Sequence, residues 1–195
     1  MGGGAAVASI MSPVSMLRPE RTAVLIVDLQ ERLLPAIAER ESVLRNSLLL
    51  LRLARALDLP VLLTTQYRKG LGETVPEMLA AAPGASVFDK VAFGCFGSDE
   101  FRARLGALGR DQLVVGGIES HICVAQTVLG ALERGFEVHV ASDAVGSRTE
   151  ANRLVGLDRM RGAGATLSSA EMAAYELLAR SDGEAFKAML PSLKG

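Results

Sequence analysis

Three ionisable side chains, Asp28, Lys90 and Cys123, each stand at or just past the end of an apolar, strand-like run. Together they supply a nucleophile, a proton acceptor and a positive charge that can hold both in place. Cys123 closes the stretch Gly116-Gly117-Ile118-Glu119-Ser120-His121-Ile122-Cys123, between the apolar run Gln112–Val115 and a helical pattern over Ala125–Arg134. That places it in the first turn of a helix, beyond the carboxyl end of a strand. Helix-start amides and the macrodipole favour negative charge there. The expectation is a thiol that ionises more readily than free cysteine, whose pKa is about 8.5.

Each residue also has a plain structural reading. A free cysteine is commonly a small buried hydrophobe. Asp28 opens Asp28-Leu29-Gln30-Glu31, which resembles a capping box. Lys90, in Phe88-Asp89-Lys90-Val91-Ala92-Phe93, has the setting of a lysine lying along the surface. It is the arrival of all three at one sheet edge that favours chemistry. The two histidines offer no better partner for the thiol. His121 is two positions from Cys123, and side chains so spaced do not face each other on a helix. His139 alternates within a strand-like segment. They form no zinc pattern, and neither a G-x-G-x-x-G sequence nor a P-loop is present. Cys95, in Phe93-Gly94-Cys95-Phe96, reads as core packing or as a pocket wall. A Cys95–Cys123 disulfide is disfavoured in a chain that reads as intracellular.

The elements that must carry these residues alternate. Strand-like runs cover Thr22–Val27, Pro60–Thr65, Ala85–Phe88, Gln112–Gly116, Phe136–Ala141 and Ala165–Leu167. Helical patterns cover Val43–Leu57, Ser98–Leu108 with Ser98 as its cap, Thr149–Gly162 and Ser169–Arg180. Continuous apolar strands between helices predict an α/β fold, a mostly parallel sheet covered on both faces. Ligands in such sheets bind beyond the carboxyl ends of the strands.

The chain has 195 residues, 49% hydrophobic and 22% charged, with a net charge of −1. These values suit one globular domain, here residues 16–195, and exclude a basic nucleic-acid or anionic-membrane surface. No run reaches the roughly 20 apolar residues of a membrane span. Residues 1–15 are rich in Gly, Ala and Ser, lack Lys and Arg, and are expected to form a disordered tail rather than a targeting signal. The expected location is cytoplasmic.

The chain resembles the isochorismatase-like cysteine hydrolases over roughly residues 20–190. The resemblance rests on Val24-Leu25-Ile26-Val27-Asp28-Leu29-Gln30, on Lys90 with Phe93, on Gly117-Ile118-Glu119-Ser120-His121-Ile122-Cys123-Val124, and on Val140-Ala141-Ser142-Asp143-Ala144-Val145-Gly146-Ser147-Arg148. Thr65-Gln66-Tyr67 and Lys69–Gly72 are similar to the metal-free branch of isochorismatase-domain and YcaC-like proteins. The resemblance implies a three-layer αβα, Rossmann-like fold with strand order 3-2-1-4-5-6. It implies Asp28 as base, Lys90 as charge-holding partner and Cys123 as nucleophile. It further implies a cis peptide at Ile118–Glu119 and an oxyanion hole from the backbone amides of Glu119 and Cys123. Nicotinamidases carry an Asp/His metal cluster after the second strand. Here that place reads Thr64-Thr65-Gln66-Tyr67-Arg68-Lys69, so neither a metal nor another cofactor is expected.

The function so implied is hydrolysis of a small amide or related C–N bond through a thioester. Vinyl-ether hydrolysis of the isochorismate type is the alternative within hydrolases. A thiol sensor or a non-catalytic assembly subunit is the alternative outside them. The expected partner is a small-molecule substrate, with no nucleic acid and no membrane. Leu29, Gln66, Phe93, Phe96 and Ser120 are the expected pocket walls. A homo-oligomer is expected, with the apolar Val145 region as a contact.

Overall fold

The computed structural model describes residues 16–194, so the expected tail over residues 1–15 lies outside the described residues. Six parallel strands form one sheet: β1 (Thr22–Val27), β2 (Val61–Gln66), β3 (Ser86–Lys90), β4 (Gln112–Ile118), β5 (Glu137–Gly146) and β6 (Thr166–Ser168). Their spatial order is β3-β2-β1-β4-β5-β6. The order reverses between β1 and β4, and it is beyond the carboxyl ends of strands at such a switch point that ligands bind in sheets of this kind.

The helices are α1 (Arg40–Ala56), α2 (Arg68–Leu71), α3 (Pro76–Ala81), α4 (Asp99–Ala107), α5 (Ala125–Leu132), α6 (Glu150–Gly162), α7 (Ala170–Leu178) and α8 (Glu184–Leu193). Alternate residues of each strand face opposite sides, so the sheet feeds two cores. Val24, Ile26, Leu63 and Val114 pack with α1, α3, α7 and α8, while Leu25, Val27, Leu62 and Val115 pack with α4, α5 and α6. Every residue of β1 and β4 is buried, which explains their unbroken apolar character. Ser98 caps α4 by accepting the Phe101 N–H at 3.3 Å, and Thr149 and Ser169 cap α6 and α7 in the same way.

The structure extends the sequence reading in two respects. Strand β3 runs past Phe88 to Lys90, because Asp89 and Lys90 still pair with Thr65 and Gln66 of β2. Three helices escape the sequence reading: α2, α3 and α8. Helix α2 has only four residues, and α8 holds Pro191 in its last turn. Helix α3 does have a signal, a proline at its first position.

Buried His139 stands on β5, only 2% exposed, and its Nδ1 has no hydrogen-bond partner. Burial lowers its pKa below the ordinary value, although Glu176 and Glu137 pull the other way. The folded state therefore binds this proton less readily than the unfolded chain. Stability should be unaffected by His139 above about pH 6.5 and fall below it, by at most about 1.4 kcal/mol per pH unit. Urea midpoints between pH 7.5 and 5 should fall more steeply for the native sequence than for His139→Gln; parallel curves would contradict this.

Candidate active site

The site is built where β1, β2, β3 and β4 end. Strand β1 finishes at Val27, and the Asp28 N–H still donates to the Thr64 carbonyl of β2 at 3.1 Å. Asp28 itself turns the chain with φ +53°, a left-handed conformation that aspartate tolerates better than most residues. Its side chain caps no helix. The carboxylate is fully buried; Oδ1 accepts the Thr64 hydroxyl at 2.7 Å and Oδ2 accepts the Lys90 ammonium at 2.7 Å.

Lys90 is no surface lysine. Its side chain is 1% exposed, and Nζ donates a second bond to Gln66 Oε1 at 2.8 Å. Thr64 and Gln66 share one face of β2, two residues apart, and Gln66 stands opposite Lys90 in the β2–β3 register. The Gln66 amide is fixed in turn by donating to the Val91 carbonyl at 2.9 Å. Gln30 clamps the Gln66 backbone on both sides: its Oε1 accepts the Gln66 N–H at 2.7 Å and its Nε2 donates to the Gln66 carbonyl at 3.1 Å. A buried ion pair is tolerable only when its charges are matched and their remaining hydrogen-bonding capacity is used, and here both are met.

Cys123 lies in a wide π-helical turn, Ser120–Val124, that leads into α5. Its thiol lies near enough to Asp28 and Lys90 to feel both charges. The expected easily ionised thiol is not what the fold provides. Burial, and then the charge of Asp28, push the thiol up to about 12, with Lys90 pulling it down. The sulfur therefore rests protonated, near a base, and must lose its proton as it reacts.

Two glycines let this assembly close. Gly117, at φ +116°, is where β4 meets β1; a Cβ there would lie 2.1 Å from the Val27 carbonyl oxygen. Gly156 lets α6 press on the π turn, since its Cβ would lie 2.8 Å from the His121 nitrogen. The turn is tied from the other side by Ser147, whose hydroxyl sits 2.8 Å from that of Ser120 and 3.0 Å from His121 Nδ1. The Ile118–Glu119 peptide bond is cis. The Glu119 carboxylate accepts the Arg148 N–H at 2.9 Å.

Of the expected pocket walls, Gln66 is a ligand of Lys90, and Ser120 is fully buried in the bond to Ser147. Phe93 is half exposed, three residues beyond Lys90. Leu29 belongs to the core on the α1 side instead. Phe96 packs edge-on against Phe101 with the Arg134 guanidinium over its ring, so its face serves the α4–α5 layer.

Sequence reasoning missed Thr64, Thr127 and the role of Cys95. Cys95 is fully buried, and neither it nor Cys123 is in a disulfide. The Cys95 N–H donates to Thr127 Oγ1 at 3.0 Å, and the Thr127 hydroxyl donates to the Cys123 carbonyl at 2.7 Å. The available signal was the alternation Thr64-x-Gln66 facing a strand that ends in Lys90. Among the described residues no group of three or more His, Cys, Asp or Glu side chains is arranged to hold a metal ion, and no helix is long and apolar enough to cross a membrane.

Comparison with known proteins agrees with this geometry. The Isochorismatase domain model matches residues 22–172. Isochorismatase domain-containing protein 2 of Danio rerio is 36% identical over 86% of this chain and 84% of its own. Among solved structures, the MAR1 ribonuclease of Caenorhabditis elegans is similar with a TM-score of 0.88 and 34% identity, covering 93% of each chain. YcaC of Pseudomonas aeruginosa, solved with hexane-2,5-diol and covalent acrylamide, has a TM-score of 0.87 and 32% identity over 92% of each chain. YcaC of Escherichia coli, an octameric hydrolase of unknown specificity, has a TM-score of 0.86 and 32% identity over 93% of this chain and 94% of that one. Fold, strand order and sequence agree over nearly the whole domain, and the chain belongs to the isochorismatase domain family.

Proposed function

We propose that the protein is a cysteine hydrolase of small amides or related C–N compounds, acting through a thioester. The observation that supports this reading is a buried carboxylate that Lys90 and Thr64 hold in a fixed orientation, near enough to the Cys123 thiol for its charge to act on it. Asp28 takes the Sγ proton as sulfur attacks the acyl carbon. The negative charge that develops on oxygen is received by the backbone amides of Glu119 and Cys123, each such donor lowering a barrier by about 2.7–4 kcal/mol. Collapse breaks the C–N bond, and Asp28 returns the proton to the leaving amine. Asp28 then takes a proton from water as it attacks the thioester, releasing the acid and restoring the thiol. Every group that acts in these steps is a side chain or amide of this chain.

The test separates base from bystander. Formamide, acetamide and acrylamide are offered, with released ammonia as the readout. Cys123→Ala should lose ammonia release and any covalent acrylamide adduct, an adduct that the P. aeruginosa relative forms. Ammonia release that survives in Cys123→Ala would mean that the C–N bond is broken without a thioester and would overturn this mechanism. Asp28→Asn should slow turnover by about a hundredfold or more. It should also speed iodoacetamide labelling of Cys123 at a given pH, because the Asp28 charge raises the thiol pKa. A group that hinders ionisation yet accelerates hydrolysis is a base. Faster labelling with no turnover in the native protein is the signature of a thiol sensor.

A net charge of −1 disfavours a nucleic-acid substrate in spite of the ribonuclease name of the nematode relative. An RNA oligonucleotide in the same panel checks this. A homo-oligomer fits the octameric relative. Its contact is not Val145, which is fully buried within the chain. The exposed Leu154 and Val155 of α6 are the better surface. Two free cysteines fit a reducing, cytoplasmic setting.

A further inference from the structure

We infer that Thr64 is a positioning residue for Asp28, and that Cys95 sets the direction in which the Thr64 hydroxyl points. The inference rests on the reading of Asp28 as the base. A carboxylate on a short side chain is free to rotate about its last bond, so one partner alone does not fix which oxygen faces a nucleophile. Here Lys90 holds Oδ2 at 2.7 Å and Thr64 holds Oδ1 at 2.7 Å. Two partners on two oxygens define the plane of the carboxylate. The backbone adds a third tie, since the Asp28 N–H donates to the carbonyl of the same Thr64.

The Thr64 hydroxyl has a single proton to give. The Cys95 thiol donates to its oxygen at 3.8 Å, a long and weak sulfur contact. With that side of the oxygen occupied by a donor, the hydroxyl proton is directed to Asp28. Burial pushes the Cys95 thiol up to about 11, so it remains a donor across the working range of pH. Cys95 is in turn anchored through Thr127 to the Cys123 carbonyl. One buried residue thus touches the support of the base through its sulfur and the support of the nucleophile through its amide. The second thiol of the site acts as a spacer and donor between the two supports, with no covalent part in the reaction. None of these three residues is exposed: Thr64 is 1% exposed, and Cys95 and Thr127 are fully buried.

The experiment compares Thr64→Val, Thr64→Ser and Cys95→Ala with the native protein. The probe is whichever of formamide, acetamide or acrylamide the native protein hydrolyses fastest, with ammonia release as the readout. Thr64→Val keeps the shape and removes the hydroxyl. It should lower kcat by about tenfold or more, the loss expected for one hydrogen bond to a charged group, with KM changed by less than about twofold. Thr64→Ser should restore kcat to within about threefold of native. Cys95→Ala should fall between them, because the sulfur contact is the weaker tie. A crystal structure of Thr64→Val should show the Asp28 carboxylate rotated, with Lys90 still in place. If Thr64→Val keeps native kcat, or Asp28 keeps its pose, while Asp28→Asn abolishes turnover, then the positioning role is wrong and the base stands. If Asp28→Asn also keeps native kcat, there is no base to position and both readings fall.

Discussion

The Lys90→Met protein should unfold at a much lower urea concentration than the native one, with a loss of about 3–5 kcal/mol near neutral pH. The lysine and its partner are both buried, with side-chain exposures of 1% and 0%, and they meet at 2.7 Å. Removing the cation leaves a carboxylate far from water that keeps the Thr64 hydroxyl as a donor but has no counter-charge. Methionine fills the volume of the lysine stem, so the loss reports charge more than packing. One companion makes the prediction specific. The double variant Asp28→Asn/Lys90→Met should recover most of the lost stability, giving a coupling energy well above the surface-pair range of about 0–1 kcal/mol. A single-variant loss below about 1 kcal/mol would mean that water reaches the pair. In the same variant the Cys123 thiol loses the nearby charge that favours its ionised form, so iodoacetamide labelling should slow at every pH.

Gly117→Ala should be the most damaging small substitution in the chain, costing about 4 kcal/mol or more or preventing folding outright. Its φ of +116° is closed to alanine, and an added Cβ would lie 2.1 Å from the Val27 oxygen and 2.5 Å from the Val27 nitrogen. Those atoms are backbone in a central, fully buried strand, so no side chain can swing aside. The only relief is to part β1 from β4 at the level where they carry Asp28 and Cys123. Any folded fraction should therefore also lose the approach of Asp28 to Cys123, and with it amide turnover. Gly106→Ala is the control: it lies in α4 with nothing near an added Cβ and should change stability by less than about 1 kcal/mol. Equal urea midpoints for the two variants would show that β1 and β4 approach less tightly than this geometry requires.

These predictions lean on parts of the protein that differ in how openly the sequence displays them. The strands were legible because parallel, doubly covered strands must be apolar throughout, and Thr22–Val27 and Gln112–Ile118 are. Asp28 was legible because a polar residue directly after such a run must lie at the sheet's ligand-binding edge, and Cys123 because it stands where the chain turns from β4 into a helix at that same edge. Lys90 needed more, since a lysine between apolar neighbours reads equally as a surface residue. Only its register with Gln66 turns it inward. Short α2 escaped because periodicity needs several turns to rise above chance, and α8 because Pro191 argues against a helix through that position.

Residue type and local pattern were enough to expect a mostly parallel sheet covered on both faces and to single out Asp28, Lys90 and Cys123, because those depend on the order of residues along the chain; the family and the strand order came from the resemblance that the motifs carry. The direction in which the Cys123 thiol is shifted, the pairing of Thr64 with Asp28, the contact of Cys95 with Thr64 and the packing partners of Leu29 and Phe96 all depend on distances between segments far apart in sequence. Charges and hydrogen bonds act over a few ångströms through space, and a thiol expected to ionise at a helix start is instead kept neutral by burial and a carboxylate from another strand.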